Sequence, residues 1–188
     1  MTKETSQLCC RQEWIDASDF LAEADDEVLN LICERVAEVV EGGKTPVVVF
    51  DLDSTLYEVQ PRTFQIIQEY LASGPEAELG ESVYQALQSL KIENLGYSMR
   101  DAFTNIGLDT TLDEVQDGLK KIGDFWWQRF FKDDYIQYDV AYPGAQAYVS
   151  RVYELGATLV YLTGRDFPNM GAGTLAAMKR EDRKSTRL

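Results

Sequence analysis

A short apolar run followed at once by two aspartates constrains this chain more than any other stretch. Residues 47–50 read VVVF, and such a run of β-branched and aromatic residues is typical of a strand buried on both faces in a parallel sheet. Asp51 and Asp53 follow directly, with Thr55 two residues later. Because open α/β sheets carry their chemistry in the crevice at the carboxyl ends of the strands, the segment predicts a functional site there.

The spacing of the two aspartates indicates a bound cation. Asp51 and Asp53 would repel each other unless a cation lay between them or they shared a proton. Aspartates also form turns after strands, so the pair alone is compatible with a purely structural turn. A divalent metal is the interpretation that the setting favours.

A second apolar strand is predicted later in the chain. Residues 159–162 read LVYL and end in Thr163, Gly164 and Arg165. The helical segment that intervenes would make this a crossover between parallel strands, which brings Asp51 and Thr163 to the same crevice. Arg165 would then either touch the substrate or stand exposed.

The DxDxT pattern after a strand resembles motif I of the haloacid dehalogenase (HAD) superfamily of phosphohydrolases and phosphotransferases. The strand followed by Thr163-Gly164 is similar to that family's motif II. The resemblance implies an α/β fold with a HAD-like Rossmannoid parallel sheet, incomplete here, and an inserted helical cap. Four regions follow: 1–57 with N-terminal helices and the first core strand, 58–142 as the cap, 143–181 as the core helix, second strand and following helix, and a tail at 182–188.

The same resemblance implies the chemistry. Asp51 would attack phosphorus and form an aspartyl-phosphate, while Asp53 would serve as general acid and then general base. Thr163 and the Gly164 amide would donate to the phosphoryl oxygens. Mg²⁺, a hard cation, would be bound by the Asp51 carboxylate and the Asp53 backbone carbonyl. The substrate would be a small phosphorylated metabolite, and an aspartate two positions after the nucleophile disfavours dehalogenation.

The resemblance covers half of the family's pattern. A later lysine and a later acidic pair have no counterpart here, and Lys179, Glu181 and Asp182 are poor candidates for them. The last seven residues, DRKSTRL, resemble a translated sequencing adapter, so we expect that the natural chain continues. Losing one such electrostatic partner costs about 10²–10³ in rate, so we expect negligible turnover from these residues alone. Two strands would also leave apolar surface unburied.

Several helical segments are predicted along the chain. Apolar spacing predicts a helix over 27–40 that packs on the first strand, and a helix that opens at residues 142–144. Thr111 and Glu114 form a predicted capping box at the start of another helix, whose aromatic far end, 125–131, is assigned to the core. Residues 171–176 superficially fit a dinucleotide fingerprint, but a helix start is favoured because no strand ends immediately before them.

Composition narrows the function classes. Lys and Arg number 18 against 32 Asp and Glu, a net charge of −14 that disfavours binding to nucleic acid or anionic membranes. Histidine is absent, which excludes Ser-His-Asp and Cys-His nucleophile systems. Cys9, Cys10 and Cys33 lack metal-ligand spacing, and no run is long enough to span a bilayer, so a cytoplasmic protein is expected. The sequence does not predict the oligomeric state.

Two functional hypotheses from different classes remain open at this point. The first is a magnesium-dependent phosphohydrolase, with phosphotransferase or phosphomutase action as a variant that depends on the acceptor. The second is a catalytically silent HAD-like binding or interaction module.

Overall fold

The fold is mixed α/β and mostly helical. A computed structural model describes the backbone of residues 25–184 and the side chains of residues 27–181. The elements, in chain order, are α1 (Asp25–Glu41), β1 (Val47–Asp51), β2 (Tyr57–Glu58), α2 (Gln60–Ala72), α3 (Glu76–Leu79), α4 (Glu81–Gln88), a 3₁₀ helix (Ile92–Asn94), α5 (Met99–Asn105), α6 (Asp113–Phe130), α7 (Asp133–Ile136), β3 (Val140–Ala141), α8 (Ala145–Glu154), β4 (Thr158–Leu162) and α9 (Phe167–Lys184).

The two predicted strands are confirmed as parallel neighbours. β1 pairs with β4 in a register that runs from Val47 opposite Thr158 to Asp51 opposite Leu162. Within the described residues these two strands form the whole parallel sheet. Because they end at the same level, the residues after Asp51 and after Leu162 emerge side by side at one edge of the sheet.

The prediction that β1 is buried on both faces is wrong. Val47 and Val49 are exposed by 59% and 55%, whereas Phe50, on the opposite face, is buried. On the same face of the sheet, Val160 and Leu162 of β4 are also exposed. Helices cover one face of this strand, and its other face is exposed to solvent. The expected unburied apolar surface is therefore present.

The covered face of the sheet packs against two helices. Phe50 clusters with Cys33 and Val36 from α1 and with Val152 from α8. The helix predicted over 27–40 is thus confirmed, and it packs on the first strand as expected. The helix expected after residues 142–144 is α8, which Gly144 precedes in the left-handed conformation, with a φ of 85°.

Most of the chain between β2 and β3 forms a helical body with its own core. Its buried side chains include Ile67, Val83, Phe103 and Ile122. β2 pairs antiparallel with β3, with Tyr57 opposite Ala141, so the two ends of this segment meet beside the parallel sheet. The proposed boundaries at 58 and 142 stay a prediction.

The capping box predicted at Thr111 and Glu114 is wrong. The hydroxyl of Thr111 donates to Asp109 at 2.7 Å instead of capping the next helix, and α6 begins at Asp113 without a side-chain cap. The Asp109 carboxylate replaces the predicted capping box because it also accepts from the Thr111 amide. A true capping box occurs at Ser98 and Asp101, at the start of α5.

Of the remaining local predictions, some are confirmed and others are wrong. In the aromatic stretch, Phe130 is buried as predicted, but Trp127 is 66% exposed. The glycine-rich stretch at 171–176 lies inside α9, which begins earlier, at Phe167, so neither a dinucleotide turn nor a helix start is present there.

None of the described helices is long and apolar enough to cross a membrane. Cys9, Cys10, the other predictions for residues 1–24, and the end of the 182–188 tail lie outside the described residues.

The open face of the sheet predicts self-association. We expect the protein to oligomerise as its concentration rises, because exposed apolar strands pair or stack with other copies. The double variant Val49→Lys with Val160→Lys should shift sedimentation velocity profiles toward the monomer. Tyr153→Lys, at a separate exposed position, is the matched control and should change nothing. A wild-type chain that sediments as a monomer at every concentration would contradict the prediction.

Candidate active site at the carboxyl edge of the sheet

The loop after β1 alternates buried and accessible side chains. Leu52 is 1% exposed and packs with Tyr57 and Met170, while Asp51 is exposed and Asp53 is half-buried. The Leu52 carbonyl accepts from the amides of Leu56 at 3.0 Å and Tyr57 at 2.8 Å. This single tight turn holds the two aspartates at the edge of the sheet.

Ser54 sits in a strained backbone conformation. Its φ of 60° lies in the left-handed region, which residues other than glycine seldom adopt. The Ser54 amide donates to the Tyr57 carbonyl at 2.7 Å, which holds the turn in place. Such strain persists only where surrounding structure determines it, and it often marks a functional loop.

Asp51 accepts one side-chain hydrogen bond. The hydroxyl of Thr55 donates to its Oδ2 at 3.1 Å, and no described residue donates to Oδ1. The third residue of the DxDxT pattern therefore orients the first. Among the described residues, one carboxylate oxygen of Asp51 therefore has no hydrogen-bond donor.

Arg165 binds Asp53 and is buried. Its Nε donates to Asp53 Oδ1 at 2.9 Å, and a second guanidinium nitrogen also reaches that oxygen. The residue is 8% exposed, so of the two alternatives for Arg165, the exposed arginine is wrong and substrate contact stays a prediction. Within the described part of the chain, nothing donates to Asp53 Oδ2.

Two further residues complete a buried ionic network. Asp139, which is 2% exposed, accepts from Arg165 at 2.8 Å and from Arg62 Nε at 2.8 Å. Arg62, fully buried, also donates to the Phe130 carbonyl at 3.1 Å and lies 3.6 Å from Asp53 Oδ1. Two arginines and two aspartates thus balance in charge, as burial requires.

Sequence reasoning missed Arg62 and Asp139. They are 77 residues apart in the chain, and each stands in a segment whose pattern is that of an ordinary helix or turn. The contact depends on tertiary structure, so no local signal pointed to it.

Thr163 and Gly164 emerge next to the aspartate loop, because Leu162 is the register partner of Asp51. The Thr163 hydroxyl accepts from the Arg165 amide at 3.2 Å, which leaves its proton available for donation elsewhere. Gly164 is exposed, and a Cβ there would meet nothing within 4 Å. The structure thus brings all four predicted site residues to one edge of the sheet.

Two oxygen atoms at this edge are of the chemical type that a hard cation such as Mg²⁺ binds. Asp51 offers a free carboxylate oxygen, and no described donor reaches the Asp53 carbonyl oxygen. Mg²⁺ accepts few protein ligands and keeps several waters. Among the described residues, however, no group of three or more His, Cys, Asp or Glu side chains could hold a metal.

Tyr57 is an unsuitable base for this site. Burial, followed by the nearby Glu181 carboxylate, raises the pKa of Tyr57 to about 12. The phenol stays protonated at neutral pH. Asp51 and Asp53, the carboxylates of the loop after β1, stay as candidates for acid-base chemistry.

A cavity of about 720 Å³ adjoins the loop. Ser54 lines it together with residues of α2, α5, α6 and the segment before α5. Lys179, by contrast, lies exposed along α9 and lines a different pocket. The loop that carries the aspartates therefore forms one wall of a space large enough for a small ligand.

Comparison with protein-family models, with curated proteins and with solved structures finds no match for this chain.

The ionic network predicts a large stability effect at Asp139. Asp139→Ala should lower the free energy of unfolding by about 3–5 kcal/mol, because it leaves two buried arginines without their shared partner. Asp139→Asn keeps an acceptor and should cost less. Urea unfolding measures both.

Asp124→Ala is the control for that comparison. Asp124 is exposed on α6, so its loss should change the free energy of unfolding by no more than about 0.5 kcal/mol. Equal effects for Asp124→Ala and Asp139→Ala would contradict the structural role of the network.

Proposed function

We propose that this chain is the motif-bearing part of a magnesium-dependent phosphohydrolase of the HAD type, which acts on a small phosphorylated metabolite through an aspartyl-phosphate. One observation supports the proposal most strongly. Asp51 and Leu162 are register partners at the ends of two adjacent parallel strands, so the DxDxT loop and Thr163-Gly164 leave the sheet side by side.

In this mechanism Asp51 is the nucleophile. Its free Oδ1 attacks phosphorus in line, the bond to the leaving oxygen breaks, and the phosphoryl group is held as an acyl phosphate on Asp51. The hydrogen bond from Thr55 orients the carboxylate by its other oxygen. Water then attacks the phosphoryl group and releases inorganic phosphate.

Asp53 moves the protons. It donates a proton to the leaving oxygen in the first step and takes one from the attacking water in the second. Arg165 fixes Asp53 through Oδ1, which leaves Oδ2 as the oxygen that carries the proton. The ionic network behind it sets the orientation of that carboxyl group.

Thr163 and Gly164 stabilise the transferred group. The Thr163 hydroxyl accepts from the Arg165 amide and is free to donate its own proton to a phosphoryl oxygen. The exposed Gly164 amide stands beside it, and the missing side chain leaves room for the phosphoryl group to approach. The Asp51 carboxylate and the Asp53 carbonyl would hold Mg²⁺, which supplies positive charge to offset the repulsion between nucleophile and substrate.

A non-catalytic binding module is the second candidate, and one observation favours it. Asp53 is engaged by Arg165 and lies near Arg62, an arrangement that a purely structural ion pair would also produce. The two candidates differ in whether Asp51 ever carries a phosphoryl group. Phosphotransferase action shares that intermediate and differs only in the final acceptor.

Phosphoenzyme trapping tests the proposal. We expect the protein with Mg²⁺ and acetyl phosphate labelled in its phosphoryl group to take up the label, because an acyl phosphate forms on Asp51. Hydroxylamine should then remove that label. A single turnover suffices, so slow steady-state hydrolysis does not obscure the result. Asp51→Asn should abolish labelling, while Asp124→Asn, at an exposed position on α6, should retain it.

The leaving group separates the roles of the two aspartates. Asp53→Asn should still accept label from acetyl phosphate, whose leaving group needs no proton, but should lose labelling from an alkyl phosphate. Labelling that persists in Asp51→Asn, or that resists hydroxylamine, would overturn the aspartyl-phosphate mechanism and favour the binding module.

A further inference from the structure

The cavity beside the aspartate loop has a composition that points to one kind of ligand. None of the described residues that line its 720 Å³ is charged, although the chain carries a net charge of −14. Its aromatic members are Tyr97, Trp126, Phe130 and Tyr142. We propose that the cavity binds the uncharged, planar aromatic part of a phosphate monoester. This assignment rests on the proposed function, since it places the phosphoryl end of the ligand toward the loop at Ser54.

Gly123 gives the first independent argument. It lies within α6, where glycine is destabilising relative to alanine, so its presence needs a reason. At Gly118, on the same helix, a Cβ would come within 3.1 Å of Val83, so close packing explains that glycine. At Gly123 a Cβ would meet nothing within 4 Å, and the residue lines the cavity. Gly123 therefore keeps space open for a ligand instead of admitting a neighbouring helix.

The aromatic wall of the cavity is held in place before any ligand arrives. Trp126 stacks on Phe130 with ring centroids 4.3 Å apart, and its Nε1 donates to the Thr63 hydroxyl at 3.1 Å. Arg62 lies behind Phe130, 4.3 Å from the ring centroid. Because these rings are already ordered, stacking of a planar ligand would cost little side-chain conformational entropy.

The absence of charge selects against ionic leaving groups. A charged group that entered the cavity would lose water without gaining a counter-ion, which is unfavourable. The Ser54 hydroxyl and the Gln60 carbonyl oxygen lie along the lining as uncharged hydrogen-bonding groups, whereas the Ser98 hydroxyl is engaged in its capping box. Hydroxyl or carbonyl substituents on an aromatic ring fit that chemistry.

Binding of a phosphate-free probe tests the assignment without depending on turnover. In calorimetry without metal, 2-naphthylmethanol should bind the wild-type protein saturably, whereas serine, which carries two charges, should not. Gly123→Leu should weaken naphthylmethanol binding at least about tenfold, because the leucine side chain occupies the cavity. Trp126→Ala should weaken it similarly by removing the stacking surface.

Matched variants keep the test decisive. Trp127→Ala, next in sequence but outside the cavity lining, should bind as the wild type does. Should Gly123→Leu fail to fold, Gly123→Ala, which adds one methyl group in open space, and Trp126→Ala provide the comparison. No saturable binding to the wild type, or equal binding by the wild type and the folded cavity variants, would overturn the inference.

The outcome is separable from that of the proposed function. Asp51→Asn should bind naphthylmethanol as the wild type does, because Asp51 is not among the cavity residues. Naphthylmethanol binding without phosphoenzyme formation would refute only the phosphohydrolase proposal. Phosphoenzyme formation without naphthylmethanol binding would refute only the assignment of the cavity.

Discussion

A single buried network of charges joins the parts of this molecule that its proposed chemistry needs. Arg62 comes from the first helix of the segment between β2 and β3, Asp139 from the end of that segment, Arg165 from the residues after β4, and Asp53 from the loop after β1. Buried ions stabilise a fold only when each finds its partner. The position of the helical body over the aspartate loop therefore depends on Asp139, which both arginines share.

The same network supports the cavity. Arg62 lies against Phe130, and a neutral residue in its place would leave the network one positive charge short. Phe130 in turn stacks with Trp126. Ser54, from the aspartate loop, also lines the cavity. A ligand in the cavity would thus contact the helical body and Ser54 of the aspartate loop, which one set of ion pairs already joins. This arrangement favours a preorganised site over one formed on binding.

The sequence predicts the parts of this site that depend on local pattern. Two apolar runs, one followed by DxDxT and the other by Thr-Gly, identified β1 and β4. They also predicted the edge to which Asp51 and Thr163 belong, and the structure confirms that the strands are parallel. Patterns of that kind do not reveal long-range partners, so Arg62 and Asp139 were missed. The predicted cap at Thr111 is wrong because the Asp109 carboxylate competes for the Thr111 hydroxyl. The apolar run at Val47 did not reveal that only one face of the strand is covered.

The central claim is that Asp51 accepts a phosphoryl group with the help of Mg²⁺. Beryllofluoride mimics a phosphoryl group bound to a carboxylate oxygen, so its binding reports on the site regardless of turnover. Fluorine NMR of the protein with beryllofluoride and Mg²⁺ should show bound resonances that disappear when the metal is chelated and that are absent in Asp51→Asn. Bound resonances that persist in Asp51→Asn, or their absence from the folded wild-type protein, would contradict the account.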